Sequence, residues 1–180
     1  MLSYNQLNNY FTQLLDAYKK DYIVMTIKNI GKQKQLALDL IYNKRLTSWW
    51  DVSANIGVYY FINHLDYESY REDYRRPSCN LSLSNDIQLP AKVRMELSAR
   101  YASKRQGRSY EVLKPSGGID IGLSKRLLRD RLSLSLMITD LLHTERWDSY
   151  GRKGALNLDI WGHSESRQVI FRVNYNFGSR

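Results

Sequence analysis

Long runs with a period of two constrain this chain more than any other feature of its sequence. In residues 118–127, GIDIGLSKRL, Ile119, Ile121 and Leu123 alternate with Asp120, Gly122 and Ser124. Residues 131–142 set Leu132, Leu134, Leu136 and Ile138 against Ser133, Ser135, Met137 and Thr139. The last run sets Val169, Phe171, Val173, Tyr175 and Phe177 against Gln168, Ile170, Arg172, Asn174 and Asn176. Successive side chains of a strand point to opposite faces, so this period means β-structure. The runs are about ten residues long, against five or six for an ordinary globular strand. Strands of about 9–11 tilted residues are what the hydrocarbon core of a bilayer requires. One face carries Leu, Ile, Val, Phe and Tyr; the other carries Ser, Asn, Asp, Gln and Arg. The pattern predicts an all-β, antiparallel transmembrane β-barrel wall, apolar outside and polar inside.

The same alternation recurs upstream. Trp50, Val52, Ala54, Ile56, Val58 and Tyr60 share one face of residues 49–63, with Asp51, Ser53, Asn55, Gly57 and Tyr59 on the other. Leu81, Leu83, Ile87 and Leu89 alternate with Ser82, Ser84, Asp86 and Gln88. Val93, Met95, Leu97, Ala99 and Tyr101 alternate with Lys92, Arg94, Glu96, Ser98 and Arg100. Residues 22–45 form one extended stretch with an expected bend at Asn29-Ile30-Gly31-Lys32, whereas residues 3–15 fit a weak strand or a short helix. Short turns fall near Thr47, Pro90 and Arg129; long loops are expected over residues 64–78, 103–116 and 143–165. That order predicts about eight strands, with short periplasmic turns, long extracellular loops and both chain ends on the periplasmic side. Trp49, Trp50, Tyr175 and Phe177 would mark one membrane interface, and Tyr60 and Phe61 the other. A soluble sandwich also alternates, but with shorter strands and no such asymmetry of loops.

Composition narrows the partners. The 180 residues are 43% hydrophobic with a mean hydropathy of −0.52, and no run of 18 apolar residues occurs, so strands rather than helices would do the crossing. The net charge of +9, from 27 basic and 18 acidic residues, fits basic loops and a lumen that meet anionic lipid. None of the sequence signatures of nucleic-acid binding occurs, so nucleic acid is not expected as a partner. Cys79 is the one cysteine and has no internal partner. Met1 is followed by no basic, apolar and small-residue pattern of a signal peptide, so the chain reads as the tail of something longer.

The stretch GLSKRLLRDRLSLSLMITDLL, the Arg146-Trp147 after it, Glu165-Ser166-Arg167-Gln168 and the closing Tyr175-Asn176-Phe177-Gly178 resemble the C-terminal end of large outer-membrane barrels of Bacteroidetes, the TonB-dependent receptor-like proteins. Asn29-Ile30-Gly31-Lys32 resembles an Asn-x-Gly stretch of the same barrels, although the Gly-Val-Glu that follows it there is here Leu38-Asp39-Leu40. The resemblance implies a bacterial outer-membrane location and a 22-stranded barrel of which residues 1–180, as a single domain without plug or signal peptide, supply about the last eight strands. It implies binding and import of a nutrient of unknown identity. The implied partners are membrane lipid and lipopolysaccharide, the barrel-assembly machinery, the remaining barrel and plug, and an extracellular ligand. A second reading of the strand count is an autonomous eight-stranded barrel with an adhesive or structural role, since eight strands can close on themselves.

No enzymatic activity is expected, and no catalytic, cofactor-binding or metal-ligating residue emerges. His64, His143 and His163 have no Glu or Cys at zinc-ligand spacing. Gly117-Gly118-x-x-x-Gly122 opens a strand rather than a helix, which is not the setting of a phosphate loop. Tyr70-Arg71 and Tyr74-Arg75-Arg76 interleave rings and cations as single-strand binders do, but read more simply as a solvated rim or a contact for lipopolysaccharide phosphates.

Overall fold

A computed structural model describes residues 1–18, 22–67, 70–107, 111–153, 156–162 and 164–177. Eight strands form one antiparallel sheet. Four are long: β1 (Leu2–Tyr18), β2 (Tyr22–Thr47), β3 (Trp50–Tyr67) and β4 (Tyr70–Leu89). β5 (Val93–Ala102) follows; β6 (Arg105–Gln106) and β7 (Glu111–Leu113) lie outside the sheet; β8 (Ser116–Leu127) and β9 (Leu132–Thr139) rejoin it. β10 (Trp147–Lys153) and β11 (Leu156–Gly162) again lie outside, and β12 (Gln168–Tyr175) closes the order. Spatially the wall runs β1-β2-β3-β4-β5-β8-β9-β12, and β11-β10-β7-β6 make a second, four-stranded sheet. Among the described residues β1 pairs only with β2 and β12 only with β9.

Register sets like residues side by side across the strands. One row joins Leu40, Ile56, Leu81 and Tyr101; another joins Leu123, Leu136 and Phe171. The polar rows are as continuous: Asn43, Ser53, Ser84, Ser98 and Asp120 lie side by side. Burial is inverted relative to a water-soluble fold. The apolar side chains are exposed, Phe171 at 64% and Leu40 at 51%, while polar-face residues such as Asn63, Ser78 and Asp120 are buried. The sheet therefore folds around its polar side.

The connections correct several expectations. β2 runs on as a strand through Gly31, but the register shifts at the expected bend: Asn9, with φ of 57°, is skipped in β1 and Ile30 is skipped in β2. Gly31 is needed because the Tyr10 ring occupies its side-chain space: a Cβ there would fall 2.3 Å from that ring. Residues 3–15 belong to a strand and not to a helix. Residues 64–67 and 70–78 are ladder rather than loop, for β3 and β4 pair from Tyr67↔Tyr70 downwards. Pro77 is tolerated because β5 joins β4 only from Asn80, leaving that part of β4 without a neighbour on its second side in the main sheet. The two other expected loops contain β6–β7 and β10–β11. Lys92 lies in a 3-10 turn, Pro90–Lys92, not in β5. Of the two chain ends, both expected on the short-turn side, the C-terminal one lies there, with Tyr175 paired with Leu132 beside the 128–131 turn, whereas Leu2 stands opposite Leu38, part-way along β2. Phe61 faces inward and stacks on Tyr59 at 6.2 Å; Tyr60 faces outward as expected.

Sidedness has a direct test. Leu136→Arg or Phe171→Arg should each impair membrane assembly at a cost of about 2–4 kcal/mol near the bilayer midplane, while Ser133→Arg and Asn174→Arg should be tolerated. Equal loss of folded protein for all four, in a quantitative assembly assay, would contradict the assignment of faces.

Candidate functional site: the polar inner face and its cap

Two groups of side chains organise the inner face at the end where the long connections lie. The first starts at Asp39, whose Oδ1 accepts a hydrogen bond from the Tyr59 hydroxyl at 2.9 Å. Tyr59 reaches it by lying over Gly57, the residue paired with Asp39; a Cβ on Gly57 would fall 2.3 Å from the Tyr59 oxygen. Beside this pair, Asn55, Ser82, Arg100 and Glu145 help line a cleft of about 620 Å³.

The second group ties strands to cap. Arg100 lies between two carboxylates, bonded to Asp120 through Nη1 and to Glu145 Oε2 through Nη2 at 2.6 Å. Asp120 Oδ1 also accepts the Asp140 backbone N–H at 2.8 Å. Asp140 is fully buried, with φ of 44° at the end of β9. Its carboxylate accepts the N–H of Thr144 at 2.8 Å, the N–H of Glu145 at 3.1 Å and the Ser166 hydroxyl at 2.5 Å. Thr144 in turn donates to Gly117 O at 2.9 Å, and Arg167 donates to Leu141 O at 3.2 Å. One carboxylate thus fixes the 140–146 segment to the start of β12. Burial alone would raise the Asp140 pKa. The hydroxyl and two amide donors outweigh it, with the nearby His143 ring adding to them, and hold the group below its ordinary value.

Above the cleft the second sheet joins two connections. β7 pairs with β10 through Leu113↔Ser149, Val112↔Tyr150 and Glu111↔Gly151, and the buried Ser149 hydroxyl donates to Glu111 at 2.6 Å. Tyr150 is surrounded by cations. Lys104 Nζ lies 5.0 Å and the Arg152 guanidinium 5.7 Å from its ring centre. A hydrogen bond from Lys104 holds the Tyr150 phenol below its usual pKa against the opposing effect of burial, and the charges of Arg76 and Arg152 act in the same direction. Arg152 is also paired with Asp159 at 2.9 Å, which offsets part of that positive charge.

The histidines weighed from sequence are scattered. His64 Nδ1 pairs with Asp73 Oδ1 at 2.5 Å, His143 lies in the cap with φ of 54°, and His163 lies outside the described residues. Among the described residues no three of His, Cys, Asp and Glu are grouped so as to hold a metal ion. Sequence reading placed Arg94, Glu96 and Arg100 inward, and there Arg94 pairs with Asp86 and Glu96. It passed over Asp140 and Asn85. Asn85 faces the apolar side, where it accepts the Trp50 indole N–H at 3.2 Å and donates to Leu97 O at 3.3 Å. A single polar residue in an otherwise apolar period was the available signal.

A family model described as the outer membrane protein beta-barrel family matches residues 1–175. The chain belongs to that family. No curated protein and no solved structure matches it. For a member of the outer-membrane barrels, the inverted burial has a direct meaning: the exposed apolar face meets lipid and the polar face meets the lumen. The stacked Trp49 and Trp50, 6.0 Å apart, and the Tyr175–Phe177 pair at 4.7 Å sit at the short-turn rim. From Trp50 to Tyr60 is ten strand steps, which on a tilt near 40° spans roughly 25 Å, the height of a barrel's apolar band.

The Asp140 anchor carries a pH dependence. Because its pKa is depressed on folding, its contribution is present above the unfolded value, about 3.9, and is lost as pH falls through the lower folded value. Protection of the Thr144 and Glu145 amides, taken against their intrinsic exchange rate at each pH, should therefore be high at neutral pH and fall once the pH drops below that range. Asp140→Ala should accelerate both amides by roughly tenfold or more at pH 7; unchanged protection would show that the cap does not depend on this carboxylate.

Proposed function

We propose that this chain is the C-terminal wall of a TonB-dependent receptor-like importer of the bacterial outer membrane, which takes up a nutrient bound at the extracellular side. The observation that carries the reading is a wall with a polar lumen face and, among the described residues, two edge strands, β1 and β12, each paired on one side only. An open edge in lipid leaves backbone groups unsatisfied at several kcal/mol each, so such a wall calls for further strands. The pieces that resemble these receptors support it. Asp140, Ser166 and Arg167 come from those pieces and meet, together with Glu145, in one network under the cap. In this reading the short turns are periplasmic, the second sheet is extracellular, the cleft at Asp39, Tyr59 and Arg100 lies on the ligand's route, and the chain performs no catalysis.

A second reading rests on a different observation. Arg45–Asp51, Arg94–Asp86 and Arg100–Asp120 pair opposite charges across the lumen face, as a small closed barrel must do to fill its interior. Refolding of residues 1–180 alone into detergent separates the two. A wall segment gives no monodisperse species whose gel mobility shifts on heating; a compact, heat-modifiable monomer would replace the importer with the autonomous barrel.

Orientation is tested on cells producing the full-length protein that contains this chain, with Cys79 removed. Cysteines replacing the exposed Asn157 and Glu165 should label with an impermeant thiol reagent, and those replacing Ser48 and Asp130 should not. Reversed labelling would put the short turns outside.

A further inference from the structure

Alternation does not stop at the top of the apolar band; it changes chemistry. The outward row through Tyr4, Leu36, Tyr60 and Pro77 is followed, one outward step further from the short turns, by Gln6, Lys34, Ile62 and Arg75. The next outward row is Asn8, Lys32, His64 and Asp73. Lys32, Lys34 and Arg75 are exposed, whereas Gln33 between the lysines and Arg76 beside Arg75 turn inward and are less exposed. The three cations share one concavity of about 790 Å³ with His64 and Asp73. Asp73 is engaged by His64, and among the described residues Lys32, Lys34 and Arg75 form no ion pair. Lys34 and Arg75 stand two strand spacings apart, roughly 10 Å, directly above the apolar rows.

We propose that this patch is a binding site for the phosphorylated headgroup of an outer-leaflet glycolipid. Its acyl chains would lie along Leu36, Tyr60, Leu38 and Val58, and its phosphates would be held by Lys32, Lys34 and Arg75. Three features single out this occupant. The patch faces away from the lumen, so a transported solute does not meet it. It borders the apolar face without a gap, so its ligand carries hydrocarbon as well as charge. Among the described residues its three cations face one carboxylate, Asp73, which is paired with His64, so its ligand is an anion. Gln6 and Asn8 add hydrogen-bonding groups at the level of a sugar. The site rests on the orientation given above, with this rim extracellular.

The test uses the full-length protein containing this chain in phosphatidylcholine nanodiscs. The probes are diphosphorylated lipid A, the same lipid with its phosphates removed, and inorganic phosphate as competitor, with bound lipid read by native mass spectrometry. The parent protein should retain diphosphorylated lipid A. The triple variant Lys32→Gln/Lys34→Gln/Arg75→Gln should bind it on the order of a hundredfold more weakly, from the loss of three surface cations. Lys44→Gln/Lys125→Gln, which removes two outward cations near the opposite rim, should bind it as the parent does. Equal retention by the triple variant, equal retention of the dephosphorylated lipid, or full displacement by inorganic phosphate would each overturn the proposal. Thiol labelling decides orientation separately: expected labelling without lipid A retention removes this site alone, and reversed labelling removes the orientation on which it rests.

Discussion

In hydrocarbon a strand has no water to satisfy its amides, so each must find a partner on a neighbouring strand. Everything else in this wall follows from keeping that ladder continuous while its apolar side chains face outward. With Leu40, Ile56, Leu81 and Phe171 exposed, hydrophobic burial inside the sheet cannot hold it together. Cohesion passes to the backbone ladder and to polar contacts on the inner face, such as Tyr59 with Asp39 and Arg100 with Asp120 and Glu145. Arg100 and Glu145 remain about two-fifths exposed, so solvent screens this pair and its contribution is modest; Asp120, which is buried, depends more on its partners.

The wall was legible in the sequence because each face of each strand meets one uniform medium. Leu132, Leu134, Leu136 and Ile138 all see the same surroundings, so their period survives intact and the register follows from it. The cap was not legible for the opposite reason. In β11, Leu158 and Ile160 alternate with Asp159 and Trp161, but in water neither face is obliged to be pure, and the signal blurs into that of a loop. The far part of the β3–β4 hairpin, within residues 64–78, reads as a loop because Asp, Glu and Arg replace the apolar residues there, although the described ladder continues beneath them.

The candidate site divides in the same way. Arg94, Glu96 and Arg100 could be placed on the inner face by counting in twos. The role of Asp140 could not, because its partners Thr144 and Ser166 are brought to it by a left-handed turn and by the return of a strand after 26 residues. Gly57 and Gly31 are similar cases. Their function is to be empty, so that Tyr59 and Tyr10 can lie across them, and a missing side chain has no period of its own.

The pairing of β7 with β10 ties together two excursions that leave the wall at separate places, one between β5 and β8 and the other between β9 and β12. Neither can swing outward alone while Leu113↔Ser149, Val112↔Tyr150 and Glu111↔Gly151 stay zipped and Ser149 holds Glu111. The two excursions are therefore one unit in the ladder: to displace either, three rungs must open or the other must come with it.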